Sequence, residues 1–468
     1  MASAPSSADA QGVMAEGVLL PRAPHDDVLM RAGRCGLYAV LVLSSLLVAR
    51  VGDYTAGDIV LVLTVGVTLF AVAATCTWGR RHELPIAALL IFSTIVGGGA
   101  LSGLRAQSAG STLAVVARLV LVILVLPWIA KILLPRPELV RRALTAFAVG
   151  CGICGAGTIV QFVFGSNAIP GTAITDAGRF AGFTQNVSDT GGVCCAGVVL
   201  ALALLVSADR RARVIPLLAL IGSAFGLLLS GSVSGLISTV VGALVLLLTG
   251  VLRPRAALLA VLGSAAFISA VVGIQVAAGA LNPLQRILQT TGNSADARYD
   301  TAGSRVSTYT EALRKIGENP VVGAGLDPNS TIVDGIYPAH NLFIAALYCG
   351  GALLLVGITI AVFRPLGTGV LRRRREPLVA IGLAVALTEL VFAMTAPSLY
   401  NRYFWIPVAL LLAAAALRPA SAPAAPATSP SPSPNLETAW SGGVSTTVAF
   451  ARAGDPSTRH PGGRHLGW

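Results

Sequence analysis

His340 stands in Tyr337-Pro338-Ala339-His340-Asn341, where a long polar loop re-enters an apolar segment. The other histidines, His25, His82, His460 and His465, fall in segments whose basic flanks place them on the opposite side of a membrane. An imidazole, with an unperturbed pKa of about 6.5, accepts a proton near neutrality and can serve as the general base that activates a hydroxyl. The alternative is a helix-start histidine that only satisfies interfacial hydrogen bonds. Arg179 and Arg305 lie in the two longest loops on the same side. A guanidinium is permanently charged and binds phosphate oxygens bidentately, so this pair suits a pyrophosphate. Lipid headgroup binding is the competing role, and it is the better reading for Arg298 and Arg314. Arg118 and Glu389 are ionisable groups inside apolar segments, which marks them either as functional or as a structural pair.

The surroundings of these residues are soluble in a bilayer. The chain has 468 residues, of which 54% are hydrophobic and 12% charged, and its mean hydropathy is +0.77. A peptide group left free in hydrocarbon is costly, so repeated apolar runs of about 20 residues read as spanning helices. The expected fold is all-α, a polytopic transmembrane helical bundle of about 12 spans: 34–50, 57–77, 84–103, 112–130, 143–163, 189–206, 214–230, 234–251, 256–279, 341–363, 377–396 and 403–418. Lys and Arg near span ends stay cytoplasmic, which puts both termini inside a cytoplasmic membrane and makes the net charge of +12 a matter of topology rather than of nucleic-acid binding. Residues 1–29 and the Pro-, Ala- and Ser-rich tail 419–468 read as disordered cytoplasmic segments, with 30–418 as the bundle. The first span acts as an uncleaved anchor. Cys151 and Cys154 have redox-motif spacing but sit in an apolar, Gly-rich helix, where they read as small packing residues. Only Lys131 and Lys315 accompany the many arginines, alanines and glycines, a bias that suggests a GC-rich bacterial genome.

Two loops, 164–188 and 280–340, are long enough to be functional. In the second, Ser304 to Glu318 can form an amphipathic helix with Val306, Tyr309, Leu313 and Ile316 on one face, lying over the bundle near the headgroups.

These stretches resemble the O-antigen ligase and polymerase family of bacterial envelope proteins. The resemblance is carried by Gly303-Ser304-Arg305, a short helix, Asn319-Pro320-Val321-Val322-Gly323-Ala324-Gly325, and Ala339-His340-Asn341 opening a span with Gly350-Gly351. Gly178-Arg179-Phe180-Ala181-Gly182-Phe183-Thr184-Gln185-Asn186 looks like the family's other marked stretch, so the match covers roughly 175–365. One departure is Val233, where many members have an arginine. The resemblance implies transfer of an oligosaccharide from a polyprenyl-pyrophosphate donor to an acceptor hydroxyl on the outer face of the membrane, by a polymerase or ligase of cell-surface polysaccharide. His340 would be the base and Arg305 its catalytic partner, with Arg179, Arg118, Asn341 and Asn186 binding substrate. No metal or other cofactor is needed, and attack opposite the leaving group inverts the anomeric carbon. A flippase and a chain-length regulator are the further partners it suggests.

Two other readings stay open. A different polyprenyl-phosphate-dependent glycosyltransferase would use a carboxylate such as Asp53, and twelve spans also suit a lipid-linked glycan flippase or transporter. The sequence has no Gly-x4-Gly-Lys-Ser/Thr loop for a nucleotide motor, and no metal-ligand spacing on the outer side.

Overall fold

The computed structural model describes residues 24–52, 54–74, 86–106, 108–172, 179–277, 301–326, 332–333, 337–374, 376–396 and 399–417. Asp53, much of loop 280–340, and the segments 1–23 and 418–468 lie outside the described residues.

The chain is an all-α polytopic membrane protein, as its apolar runs require. In order it forms α1 (Pro24–Leu43), a two-residue hairpin of β1 (Arg50–Val51) and β2 (Tyr54–Thr55), α2 (Ala56–Ala74), α3 (Ile86–Gly103), α4 (Ala109–Leu133), α5 (Pro137–Phe164) and α6 (Val187–Ser207). There follow α7 (Val214–Leu229), α8 (Val233–Leu248), α9 (Pro254–Ala277), α10 (Thr301–Glu318), the pair β3 (Ile332–Val333) and β4 (Tyr337–Pro338), α11 (Leu342–Arg372), α12 (Pro377–Ala393) and α13 (Arg402–Ala415). Among the described residues, eight helices are long and apolar enough to cross a membrane, and α8, α12 and α13 are shorter apolar helices.

Each expected span falls on a helix, with shifted ends. The first helix starts at Pro24, a residue suited to a first helical turn, so 24–29 belong to it rather than to the polar leader. It stops at Leu43, where Ser44 turns its hydroxyl back onto the Leu41 carbonyl at 2.9 Å. In α4, Leu121–Val125 is π-helical, one turn after Arg118.

Burial separates centre from rim. The most apolar window of α6 is 72% buried and that of α9 only 6%, so α6 is the axis and α9 a lipid-facing outer helix. Tyr403, Phe404 and Trp405 of α13 are all buried beside α6 and α12.

The element that shapes the second loop is a break in α11. Gly351 adopts φ 67°, ψ −168°, a region open essentially to glycine alone, and a Cβ there would meet the Val321 carbonyl oxygen at 1.9 Å. The break frees backbone groups of α11 from their helical partners. The turn Asn319–Gly325 takes them: the Ala324 amide donates to the Tyr348 carbonyl at 2.7 Å, Gly325 to Cys349 at 3.0 Å, and the Ala352 amide donates to the Pro320 carbonyl at 2.9 Å. Intramembrane backbone has to be satisfied by protein, so the Asn-Pro and Gly-Ala-Gly pattern is the complement of Gly350-Gly351. Gly351→Ala is expected to cost at least about 1–3 kcal/mol and to lower the thermal unfolding midpoint in detergent. Gly367→Ala, in the same helix with open space around it, is expected to leave the midpoint unchanged or raise it.

Candidate functional site

The described parts of both marked loops lie at one end of the bundle, where Asn341 bonds the Met394 carbonyl at the end of α12 and Asn401, further along, bonds Asp189 at the start of α6. Arg305 lies on α10 one turn before Tyr309. The Tyr309 hydroxyl donates to the carbonyl oxygen of His340 at 2.7 Å, so Arg305 and His340 share one mooring. Burial raises the Tyr309 phenol above its usual range, and the nearby Arg305 charge pulls it back. The group therefore stays protonated near neutrality and keeps donating. The buried face of α10 is Thr308, Ala312 and Ile316, with Tyr309 half-buried. Val306 and Leu313, expected on that face, are 64% and 54% exposed. The apolar set of this helix is therefore split, and its i, i+4 rows at 308–312–316 and 305–309 decide what faces the bundle.

Asn341 follows His340 and caps α11, its Oδ1 accepting from the amides of Phe343 at 3.0 Å and Ile344 at 3.1 Å. Its Nδ2 donates to the Met394 carbonyl at 3.2 Å, which ties the cap to the loop after α12. Asn186 plays the same part at α6: its Oδ1 accepts from the Asp189 amide at 2.9 Å and its Nδ2 donates to the Asp189 carboxylate at 2.6 Å. Both asparagines, expected to contact substrate, have their amides committed to helix starts.

Arg179 is held against the turn between α7 and α8. Its Nε donates to the Ser230 carbonyl at 2.8 Å, and its aliphatic stem packs over Gly231. The amide of Phe180 donates to Leu229 at 3.2 Å, and the Phe180 ring meets Phe162 edge-on at 5.7 Å. That turn in turn abuts the start of α6, where a Cβ on Gly191 would lie 2.3 Å from Ser232 Oγ. The turn that lacks an arginine at Val233 is thus the one on which Arg179 rests.

The sequence reading missed a buried polar hub that joins these parts. The Asp189 carboxylate accepts from the Tyr403 hydroxyl at 2.8 Å and from Asn401 Nδ2 at 3.3 Å, besides Asn186. Next along the chain, Arg402 pairs with Asp58 and donates from Nη1 to the Thr55 hydroxyl at 2.6 Å. Thr55 faces Arg50 across the hairpin, and Arg50 Nη2 donates to Gln185 at 2.8 Å. Arg118 lies within electrostatic reach of Arg402. It is not paired with Glu389, which is fully buried on α12 and whose carboxyl oxygens accept no hydrogen bond among the described residues. Asp189 carried a signal in the sequence: an acid in the first turn after an Asn cap, on a helix otherwise apolar. Nothing local marked Asn401 or Tyr403, because their partner lies more than two hundred positions away.

Cys151, Cys154, Cys194 and Cys195 are free, buried thiols where α5 meets α6, in keeping with a packing role. Among the described residues no group of three or more His, Cys, Asp or Glu side chains is placed to hold a metal ion.

Comparison with known proteins bears on the second loop. Residues 217–359 match the family model described as O-antigen ligase. An O-antigen ligase of Pseudomonas aeruginosa is 32% identical over 123 residues, which is 24% of this chain and 30% of that protein. The chain therefore covers under a third of that relative's length in the match. The family match contains Arg305, the turn 319–325, His340, Asn341 and Gly351, so the resemblance to the O-antigen ligase family holds over the second loop, while Arg118, Arg179 and Asn186 lie outside the matched residues.

Asp189→Ala removes the acceptor of three side-chain donors inside the bundle. Leaving such donors unsatisfied costs about 1–3 kcal/mol each, so the thermal midpoint is expected to fall well below that of Tyr403→Phe, which deletes one of the donors and leaves the carboxylate two partners.

Proposed function

We propose that this protein is a membrane glycan polymerase or ligase that transfers an oligosaccharide from a polyprenyl-pyrophosphate carrier to an acceptor hydroxyl on the outer face of the cytoplasmic membrane. The observation that carries the reading is the shared mooring of Arg305 and His340 through Tyr309, inside the segment that matches the O-antigen ligase family.

In this reading His340 accepts the proton of the acceptor hydroxyl as its oxygen attacks the anomeric carbon. The bond from that carbon to the pyrophosphate oxygen breaks, the new glycosidic bond forms on the opposite face, and polyprenyl pyrophosphate departs with its added negative charge. Arg305 and Arg179 meet that charge, an arrangement that stabilises the transition state more than the ground state. Attack from the face opposite the leaving group makes the enzyme inverting, and two guanidiniums supply the countercharge a metal would otherwise bring. Asn186 and Asn341 act by fixing the helix starts that bear the two loops, and Arg118 adds positive potential next to Arg402. The basic residues of Arg136–Arg142, Arg210–Arg213, Arg253–Arg255 and Arg372–Arg374 gather at the other end, which supports a cytoplasmic placement of that end and of both termini. A flippase delivering the donor and a regulator of chain length are the partners this activity calls for.

The test is transfer in proteoliposomes loaded with a polyprenyl-pyrophosphate oligosaccharide pool. His340→Ala is expected to lower the rate by about 10²–10⁴, and Arg305→Ala or Arg179→Ala by about 10²–10³. Arg305→Lys is expected to restore little, since an ammonium lacks the fork that grips two phosphate oxygens. Asp53→Asn is expected to keep near wild-type activity, and its loss would favour the glycosyltransferase that relies on that carboxylate. No transfer by the wild type from any donor pool would favour a flippase. The anomeric signal of the product, inverted from that of the donor, checks the stereochemistry.

A further inference from the structure

Between α5, α7 and the outer helix α9 lies a pocket of about 210 Å³, walled by Ile159, Phe162, Phe225, Leu229, Val271 and Gln275 among others. At roughly 30 Å³ for a water-sized group it takes about seven such groups, a stretch of chain rather than a whole lipid. Val163 and Ile274 also line it and are exposed, so it opens outward, on the side where α9 faces hydrocarbon. Phe267 of α9 meets Phe225 edge-on at 4.8 Å, and Val271 and Gln275, one and two turns further along the same stripe, are buried. Every lining side chain but Gln275 is apolar. Its amide is buried, and neither Oε1 nor Nε2 has a hydrogen-bond partner among the described residues. An amide left so is costly. The terminal torsion of a glutamine is broad, so a small rotation presents either atom to an occupant.

The amide decides between occupants. A water needs two to four polar partners and finds one side chain here. A polyprenyl chain suits the apolar walls but has no heteroatom short of its phosphate, and a neighbouring transmembrane helix has its backbone groups bonded internally. An acyl chain that ends in an ester supplies both an apolar segment and a carbonyl oxygen. The depth agrees: Gln275 lies roughly 31 Å from Pro254 at about 1.5 Å per residue, close to the hydrocarbon thickness of about 30 Å, where lipid esters lie. We propose that the pocket binds an ester-linked glycerolipid of the surrounding bilayer, one acyl chain lying against Phe162, Phe225 and Leu229 and its ester carbonyl accepting from Gln275 Nε2. Such a lipid sits there whatever the chain transfers. It also backs the Arg179 loop, because Phe180 rests its ring on Phe162 at 5.7 Å and its amide on the Leu229 carbonyl at 3.2 Å.

The test is lipid retention by the purified full-length protein in maltoside detergent, read by native mass spectrometry and by the thermal midpoint. Diphytanoyl phosphatidylcholine and its diphytanyl ether analogue share branched chains and headgroup and differ in the ester carbonyls alone. The wild type is expected to hold the ester about fivefold or more tightly, the factor one net hydrogen bond supplies. It is also expected to melt higher with the ester than with the ether. Gln275→Leu, which removes the amide at similar volume, is expected to bind the two lipids alike and, without lipid, to melt at or above the wild type. Ile159→Phe fills the pocket and is expected to lose the tightly held lipid of either kind. Equal retention of ester and ether by the wild type, or an ester preference that persists in Gln275→Leu, overturns the site. A lipid-free Gln275→Leu that melts well below the wild type does so too, since the amide would then have a partner within the fold. So does displacement of the ester lipid by equimolar polyprenyl phosphate, which would make the carrier's chain the occupant, or a dimer that Ile159→Phe dissolves, which would make it a second copy.

Discussion

A peptide group inside a bilayer has no water to turn to, and that single constraint organises the part of this molecule around α10 and α11. Helix α11 is broken at Gly351 within its apolar length, and the groups released by the break are bonded by Asn319–Gly325. That forced pairing fixes the far end of α10 on α11, while the Tyr309 hydroxyl fixes its near half to the carbonyl of His340. The amphipathic helix is thereby clamped at two points, one of them the backbone of His340. The precision that the proposed transfer would ask of a loop comes from backbone bonding to a rigid helix.

The start of α6 is the second fixed point. Asp189 gathers Asn186, Asn401 and Tyr403, so the loop bearing Arg179 and the loop after α12 are tied to one carboxylate. Through Met394 the second of these reaches the Asn341 cap beside His340. The network spends several buried polar groups in apolar surroundings, where each is tolerable only because its partners are present. Such a hub stabilises less than an apolar plug of equal volume could, and its use lies in holding two loops, distant in sequence, in one relation.

Much of this was legible beforehand. The apolar runs gave the all-α membrane fold because length and hydropathy are local properties, and the second loop's helix showed in its spacing. The face it buries did not, since Val306 and Leu313 are apolar by type but face outward, while Thr308, Ala312 and Ile316 are buried. The asparagines at 186 and 341 were visible as polar residues opening apolar runs, which fits a substrate contact and a helix cap equally well. Their hydrogen bonds show that both are caps. The Arg118–Glu389 pairing failed for a similar reason: depth along a helix is readable, but rotation about its axis is not. Asn401, Arg402 and Tyr403 lay beyond sequence reasoning because their meaning comes from Asp189 and Asp58 on other helices.

The central claim is that Arg179 and Arg305, from separate loops, serve one pyrophosphate. Its most direct test is the affinity of the purified protein for polyprenyl pyrophosphate, with polyprenyl monophosphate as the reference, in the wild type, Arg179→Gln, Arg305→Gln and the double variant. The account predicts that each single substitution weakens pyrophosphate binding by about tenfold or more and monophosphate binding by less. It also predicts that the double variant falls short of the summed free-energy loss, as residues gripping one ligand should. Pyrophosphate affinity that survives the loss of either arginine would contradict it.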